Sequence, residues 1–519
     1  MAGDTLAGGR PTFGRRRFLG NAALAAGGAL LTTAGRPVRA AYAAAAAPAG
    51  ELRVSLPARI VGLDPMGTQA AEESVRVVSA HVFDTLVVHD PRTRGYRPAL
   101  AVKWETPDPA TWVFTLRPGV RFHDGGTLTA RDVKASLERM VAQKGPFAPL
   151  WAAIGSVDAP ADATVRIKTK TPVGTMLANL SLLSILPAAS MNNPGFFNRP
   201  VGSGPFRIMS YRPDSELVLD ANPSYWGPAP GVKTLRFRDI PEIAARVTAL
   251  ITGEIDLTYG LPPDQLATLR GNKDLHLQTT PSYRYYFIWM NIKRSPFTDK
   301  RVRQAMIYAL DTRTMLTTLL KGIARPMTAP IPSTVFGYAP QRPYAYDPAK
   351  AKQLLAAAGH PGGLDTSMIW NPGSGPQDQE IAQALLSYWN AVGVRVKDAQ
   401  AERAQWLDRL LKLDWDLDLQ TNIVITGDAD FVLRRLYTTQ ANRMGYSNPT
   451  VDRVLELAAE SVDQNKRKVY YGQVCEILWD DAVGVYPFEL LETYASRRTV
   501  RGFVPTPTFP TFMSVTVGR

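Results

Sequence analysis

Segments with strand-like and helix-like patterns alternate along most of the chain. Apolar and polar side chains alternate over residues 52–56 (LRVSL), and 233–240 and 254–261 have the same strand-like character on either side of a predicted helix over 241–252. Gly253 is placed to end that helix. Repeated exchange between the two patterns is typical of mixed α/β folds. The sequence therefore predicts α/β lobes with largely parallel sheets.

Two later helices and one earlier helix have recognisable starts or ends. Residues 299–310 form the clearest helical pattern, with apolar residues spaced at i, i+3, i+4, i+7 and i+8. A second helix is predicted from Asp347 as N-cap and Pro348 as its first residue, ending before Gly359. Thr129 is the predicted N-cap of the earlier helix. These segments should supply the helical layers of the fold.

Length and charge limit the class of protein. A chain of 519 residues is too long for one ordinary core, so two or three domains are expected, and 45% apolar with 20% charged residues is typical of a packed globular protein. The net charge is +13, of which residues 1–40 contribute +5 through six arginines and one acid, leaving +8 (13 − 5) for the rest. Basic residues in the rest of the chain are dispersed and are not interleaved with aromatic residues. We therefore do not expect the protein to bind nucleic acid.

Residues 1–47 have the pattern of a signal peptide and linker. A basic segment, GRRRFLG (14–20), precedes the uncharged NAALAAGGALLTT (21–33) and a stretch rich in small residues. Arg15 and Arg16, followed by Phe18 and Leu19, resemble the twin-arginine export signal, and an ordinary basic leader is the alternative. No cysteine follows the apolar run, so no lipid anchor is predicted. We expect an exported, soluble, periplasmic protein.

The sequence gives little support to an enzyme. The motifs GxSxG, HExxH, GxxxxGK[ST] and GxGxxG are absent from the sequence. The single cysteine, Cys475, lies in an apolar helical pattern and is interpreted as a small buried side chain. His123 and Asp124 precede a glycine turn and lack further metal ligands nearby. We therefore predict no catalytic residues, no metal and no cofactor, with a secreted hydrolase as the minor alternative.

Seven sequence blocks, in order, resemble the extracellular solute-binding proteins of family 5, the dipeptide- and oligopeptide-binding components of ABC importers. The blocks cover more than 400 residues and are WETPDPATWVFTLRPGVRFHDGGTLTARDV (104–133), VGSGPFRI (201–208), NPSYWG (222–227), GEIDL (253–257), PFTDKRVRQAMIYALD (296–311), YDPAKAKQLLAAAG (346–359) and YSNPTVDRVL (446–455).

The resemblance implies a periplasmic binding protein-like α/β fold of the cluster C type, with two lobes, a hinge and an extra subdomain. The implied lobe I comprises residues 51–85, 201–290 and 490–519, the extra subdomain 86–200, and lobe III 291–489. A ligand caught between the lobes would favour closure by binding the closed state more tightly.

Two aspartates are the main ligand-binding candidates that the resemblance implies. In peptide-binding relatives an aspartate of the second large lobe pairs with the free amine of the ligand, in a region similar to VITGDADFVLRRLY here, which makes Asp428 and Asp430 candidates. Asp430 could instead cap the following helix. Relatives usually have a tryptophan and an Asp-Pro pair in this stretch, whereas this chain has Asn422 or Ile423 and Asp428 followed by Ala429. That departure keeps ligands other than a conventional dipeptide open.

Six further residues are candidate ligand contacts. Trp370 and Asn371 lie in a Gly/Pro loop, where they could stack on and hydrogen-bond a ligand or simply pack the loop. The other candidates are Tyr446, Tyr285, Thr68 and Gln69. The aromatic run around Tyr285 also suits a protein core.

The predicted function is a solute-binding protein that captures a peptide-like ligand and delivers it to an ABC permease and its ATPase. An opine, a sugar or a metal chelate is the alternative ligand, because one fold hosts several ligand classes. A sensor or chaperone-like binding role is also left open. We expect the protein to act as a monomer.

Overall fold

The computed structural model describes residues 48–143 and 145–518, so the predicted signal peptide lies outside the described residues. The strands are β1 (Glu51–Ser55), β2 (Val87–Asp90), β3 (Gly95–Pro98), β4 (Ala101–Asp108), β5 (Thr111–Leu116), β6 (Ile154–Ala161), β7 (Thr164–Thr169), β8 (Phe206–Arg212), β9 (Glu216–Ala221), β10 (Thr234–Arg238), β11 (Leu257–Tyr259), β12 (Leu275–Met290), β13 (Ala324–Pro326), β14 (Leu364–Trp370), β15 (Val394–Gln400), β16 (Leu417–Ile423), β17 (Gly484–Arg497), β18 (Val500–Arg501) and β19 (Thr516–Val517).

The helices cover the sheets and connect their strands. They are α1 (Glu73–Val82), α2 (Ala130–Ala142), α3 (Met176–Leu180), α4 (Ile243–Thr252), α5 (Pro263–Leu269), α6 (Lys300–Tyr308), α7 (Thr312–Thr318), α8 (Pro348–Ala357), α9 (Asp378–Ala391), α10 (Arg403–Lys412), α11 (Asp430–Tyr437), α12 (Pro449–Glu460) and α13 (Gln464–Asp480), with short 3-10 turns at Ala148–Trp151 and Phe196–Asn198. None of the helices in the described part of the chain combines the length and apolar character that a membrane span needs.

One large mixed sheet organises the structure. Its strands run in the order β15-β14-β16-β12-β17-β11-β1-β10-β9-β8, with β13 paired to β17. The long strands β12 and β17, of 16 and 14 residues, pair antiparallel at its centre. Within the described residues only four pairings of this sheet are parallel, β1 with β10 and β11, and β14 with β15 and β16. The predicted largely parallel sheet was therefore wrong, because the long antiparallel strands unite two short parallel groups.

Residues 86–200 contain a separate four-stranded antiparallel sheet, β4-β5-β7-β6, and the hairpin β2-β3. Helix α2 packs on this sheet, and its apolar residues join the same core as β1 and β8–β10. The start of α2 is fixed locally, since Thr129 and Asp132 form a reciprocal capping box. The predicted cap at Thr129 is confirmed.

Both faces of β12 are buried, because side chains alternate across a strand. Tyr286 and Ile288 face a core formed with α6, α8 and α9. Tyr285 and Phe287 face another core, formed with α11, α12 and α13. The aromatic run of β12 therefore separates two cores.

The predicted helices are largely confirmed, with shifted ends. The helix predicted over 241–252 begins at Ile243, and Gly253 follows it with φ +80°. Asp347 accepts a hydrogen bond from the backbone of Lys350 as N-cap of α8, as predicted, and Gly359 has φ +93° just beyond its end. The helix predicted over 299–310 spans Lys300–Tyr308, with Asp299 as its N-cap.

Candidate functional site

A bulge in β12 positions the first charged group of the site. Residues 282–284 of β12 lie opposite the single residue Leu490 of β17. Extra residues in one strand bend it and re-aim its side chains. Arg284 belongs to this bulge, and its Nη2 lies 3.6 Å from Oε2 of Glu73, the first residue of α1.

A cavity of about 410 Å³ opens beside the bulge, within the usual size range of small-molecule sites. We call it the crossover cavity, because it lies against both β12 and β17. Its charged and polar lining residues are Glu73, Ser282, Arg284, Gln377, Glu492 and Thr493. Its other lining residues are Pro57, Ile243, Gly260, Leu261, Pro262, Ile323, Pro376, Leu490 and Leu491.

The crossover cavity lies where parallel strands end. Strand β1 pairs parallel with β11, and the chain reaches Pro57 and Gly260 just beyond their carboxyl ends. Ligands of open α/β sheets commonly bind at this edge. The opposite wall comes from Ile323, before β13, and from Pro376 and Gln377, in the loop after β14. The cavity is thus enclosed by the implied lobe I, lobe III and both crossing strands.

The carboxylates of the crossover cavity influence one another. Glu492 is surrounded by protein atoms, while the cavity leaves part of the residue accessible. Burial and the nearby Glu73 charge raise the pKa of the Glu492 carboxyl, against a smaller opposing effect of Arg284. When both carboxyl groups are ionised, this group of three side chains has a net charge of −1. A positively charged ligand group would balance that charge.

Tyr259 adds a polar group beside the same carboxylates. Its residue is fully buried, with the hydroxyl within hydrogen-bonding reach of Glu73. Burial, followed by the charge of Glu73, a hydrogen bond to Glu73 and the charge of Glu492, raises the pKa of Tyr259 well above its usual value. The ring of Tyr259 stacks on Tyr494 at 5.4 Å, which fixes its position.

The predicted ligand contact Asp428 is held by an arginine of this chain. Nη1 and Nη2 of Arg467 each donate to a different Asp428 oxygen at 2.8 Å, and the two side chains are 1% exposed or less. The guanidinium also lies 5.2 Å from the ring centres of Phe336 and Tyr471. Both Asp428 oxygens therefore have partners, and a ligand cation would have to compete with Arg467. A ligand contact by Asp428 stays a prediction.

Asp430 is the first residue of α11 and does not cap it. Ala429 occupies the N-cap position, and the Asp428 carboxylate accepts the backbone N–H of Asp430 at 3.0 Å. The alternative that Asp430 is the N-cap was wrong, because the preceding aspartate is oriented toward that N–H. Burial raises the pKa of Asp430 to about 6, and the Tyr471 hydroxyl donates to it at 3.3 Å.

The aromatic candidates pack inside the protein. Trp370 is buried and its indole N–H donates to Asp398 at 2.8 Å. Tyr446 is also buried and donates to Asp481 at 2.7 Å. Tyr285 is fully buried against Phe287.

Asn371, Thr68 and Gln69 lie outside the crossover cavity. The buried Asn371 amide is 3.4 Å from the Ala401 carbonyl. Thr68 and Gln69 are exposed and line a surface depression near Tyr211. None of the eight predicted contacts lines the crossover cavity. Their direct contact with a ligand stays a prediction.

The charged lining residues were missed by sequence reasoning, although the sequence contains a signal for two of them. Arg284 interrupts the aromatic run SYRYYFIWM, and Glu492 interrupts the apolar strand of β17. A charge inside an apolar strand pattern is expensive to bury unless it has a partner or a function. Glu73 gives no such signal, because acidic residues are common in the first turn of a helix.

The described residues contain no group of three His, Cys, Asp or Glu side chains that could hold a metal ion. His123, which the sequence analysis considered as a metal ligand, is hydrogen-bonded to the backbone. Its Nδ1 accepts the Gly202 N–H at 3.2 Å, and its Nε2 lies 3.0 Å from the Gly204 carbonyl. Both ring nitrogens thus bind backbone, and burial lowers the pKa of His123.

Comparisons with known proteins identify the family. The sequence profile of "Bacterial extracellular solute-binding proteins, family 5 Middle" matches residues 95–443. The glutathione-binding protein GsiB of Pectobacterium atrosepticum is 29% identical, over 77% of this chain and 81% of its own length. The probable D,D-dipeptide-binding periplasmic protein DdpA of Escherichia coli is 31% identical, over 79% of this chain and 82% of its own length.

A solved structure agrees with the sequence relatives. The periplasmic binding protein DppA of Helicobacter pylori, in complex with the peptide STSA, superimposes with a TM-score of 0.75 and 26% identity, covering 91% of this chain and 99% of that one. The predicted family and the predicted cluster C fold class are confirmed. The chain is a member of family 5 of the bacterial extracellular solute-binding proteins.

Proposed function

We propose that this protein captures a peptide-like ligand in the crossover cavity and delivers it to the permease of an ABC importer. The observation that carries the proposal is a cavity of about 410 Å³ with carboxylates and a guanidinium among apolar residues, enclosed by both crossing strands. A short peptide has matching features: charged ends and apolar side chains. The relatives named for glutathione, D,D-dipeptides and the peptide STSA support this ligand class.

The proposal includes export to the periplasm without a lipid anchor, where the protein acts as a monomer. The basic and apolar segments of residues 14–33 support export, and the family of extracellular solute-binding proteins supports the destination. Secretion in a strain that lacks the twin-arginine translocase, compared with a Lys-Lys replacement of Arg15 and Arg16, tests the export route.

We also propose that binding is not followed by catalysis. Cys475 is buried, and burial raises the pKa of its thiol to about 12, so the thiolate that a nucleophile requires is scarcely populated at neutral pH. A bound peptide should therefore be recovered intact after prolonged incubation. Mass spectrometry of the released ligand checks this, and a cleaved product would instead favour the hydrolase alternative.

Thermal unfolding tests the ligand class. The exported protein, unfolded and refolded to remove carried-over ligand, would be scanned against short peptides, oligosaccharides, opines and metal chelates. A ligand present at 100 times its Kd stabilises the folded state by about 2.7 kcal/mol. Short peptides should raise the midpoint. A rise with sugars, opines or chelates alone would keep the binding role and overturn the peptide assignment.

A further inference from the structure

A histidine of the β2-β3 hairpin lies against the turn that precedes α11. His89 is on β2, and its ring nitrogen Nε2 approaches Gly427, next to Asp428. A Cβ added at Gly427 would lie 3.0 Å from Nε2, and the backbone of Gly427 has φ +67°. The turn therefore needs glycine to receive the histidine. His89 thus forms part of a contact between residues 86–200 and residues 291–489.

The imidazole of His89 has a hydrogen-bond partner on one side only. Its Nδ1 lies 3.1 Å from the hydroxyl of Tyr283, whereas its Nε2 is shielded from solvent and has no partner among the described residues. A neutral imidazole has one N–H, but a protonated imidazole has two. The added charge and the Nε2–H would be enclosed in this contact without an acceptor, which is unfavourable unless Nε2 reaches water.

The surrounding groups favour the neutral form of His89. Burial is the largest influence and lowers the pKa of His89, against smaller opposing effects of Asp428 and Asp90. The two oxygens of Asp428 bind Arg467 at 2.8 Å, so this carboxylate already has a cationic partner. The other titratable or charged groups on the neighbouring elements are Tyr96 on β3, Tyr283 on β12 and Arg94 in the turn between β2 and β3.

Tyr283 connects this contact with the crossover cavity. Ser282 and Arg284 line the cavity, and Tyr283 lies between them in the bulge of β12. The ring of Tyr283 packs in the core formed with α11, α12 and α13, and its hydroxyl meets His89. Separation of His89 from Tyr283 would therefore remove a contact from the strand segment that carries two cavity residues.

Resting on the proposed function, we propose that His89 is a proton-sensitive latch that regulates ligand release. Neutral His89 keeps residues 86–200 docked on the Gly427 turn, and the docked arrangement encloses the ligand. Protonation favours the separated arrangement, in which Nε2 reaches water. Acidification therefore weakens ligand binding without any change in the ligand.

The test measures the Kd of one histidine-free short peptide at pH 7.5 and pH 5.5 by isothermal titration calorimetry. A solvated histidine has a pKa of about 6.5, so protonation of His89 in the ligand-free protein should lower the affinity about tenfold between these two pH values. His89→Gln has no titrating ring at this position and should lose that part of the pH dependence. His276→Gln, at an exposed position near the start of β12, is the matched control and should retain it.

Nuclear magnetic resonance of the unmodified protein provides a second measurement. The ring signals of labelled histidines would be titrated with and without the peptide. The His89 signal should titrate at a lower pH when the peptide is bound, because the docked arrangement keeps the ring neutral. Histidine titrations that the peptide leaves unchanged would overturn the inference, whether or not the glutamine variant folds.

The outcomes separate the inference from the proposed function. The same pH dependence of the Kd in the unmodified protein and in His89→Gln would overturn the latch and leave peptide binding intact. Absence of binding by any peptide at either pH would overturn the proposed function together with the inference.

Discussion

The backbone N–H of Gly174 donates a hydrogen bond to the carbonyl oxygen of Ala459 across 2.6 Å. This contact joins residues 86–200 to the end of α12. A Cβ at Gly174 would overlap the carbonyl oxygen of Ser461, which is backbone and cannot rotate away. The close approach therefore depends on glycine at this position.

Gly174→Ala should weaken ligand binding more than it weakens the fold. If this contact belongs to the closed state, its loss favours the open state and raises the apparent Kd, by roughly tenfold for a penalty near 1.4 kcal/mol. Calorimetry gives the affinity, and small-angle scattering of the ligand-free protein should show a larger radius of gyration. Gly271→Ala, whose added Cβ meets nothing within 4 Å, is the control. Unchanged affinity and radius would show that the contact does not control closure.

Asp428→Ala should destabilise the protein by about 3–5 kcal/mol, because it leaves the buried Arg467 guanidinium without its carboxylate. Urea unfolding monitored by tryptophan fluorescence measures the loss. Replacing both residues, as Asp428→Leu with Arg467→Met, removes both buried charges and should recover part of that stability. A single variant as stable as the parent protein, with ligand affinity alone reduced, would identify Asp428 as a ligand contact instead.

The contribution of Glu492 to the stability of the folded protein should decrease as the pH rises. Its pKa is raised in the folded state, so the folded protein retains a proton that the unfolded chain loses at lower pH. Because the folded state binds more protons, the free energy of unfolding falls as the pH rises from the ordinary glutamate pKa to the raised one. The other titratable groups near Glu492 are Glu73, Arg284, Tyr259 and Tyr494.

The matching variant is Glu492→Gln. It should lose this part of the pH dependence and become more stable than the parent at alkaline pH. Thermal unfolding of both proteins between pH 5 and 9, without ligand, provides the measurement. Parallel pH profiles for the two proteins would contradict the assignment.

Thr129→Ala should cost about 1 kcal/mol, because it removes the side-chain oxygen that accepts the Arg131 N–H at the start of α2. Thr129→Ser keeps that oxygen and should lose much less. Chemical denaturation of the two variants gives the difference. Equal losses would mean that the methyl group of Thr129, rather than its cap, stabilises the helix.

The sequence was informative where the determinants of structure are local. Asp347, Thr129 and Gly253 mark helix ends through their own side chains or their own φ angles, and each was predicted in place. The candidate site was not, because its charges come together only through the fold. Glu73 and Glu492 lie near opposite ends of the chain, and Arg284 reaches Glu73 through a bulge that depends on the pairing of β12 with β17.

The same limitation explains why the sequence indicated Asp428 as a ligand contact and did not reveal its ion pair with Arg467. Its sequence context marks an acidic loop before a helix, but Arg467 lies on α13, and only tertiary packing reveals the pair. Tyr285 and Trp370 were ambiguous for another reason. An aromatic side chain stabilises a core and a ligand site by the same burial, so residue type alone does not separate the two.

We infer that β12 and β17 form the hinge between the lobes, so that their pairing sets how far each part of the site travels during opening. A rotation about these two strands displaces an atom in proportion to its distance from the axis. Arg284 and Glu492 belong to the strands themselves, so they have short lever arms and keep nearly the same separation in open and closed forms. The Gly174–Ala459 contact belongs to neither strand, because Gly174 lies in a loop and Ala459 at the end of α12. A ligand would thus meet an assembled pair of charges before the lobes close.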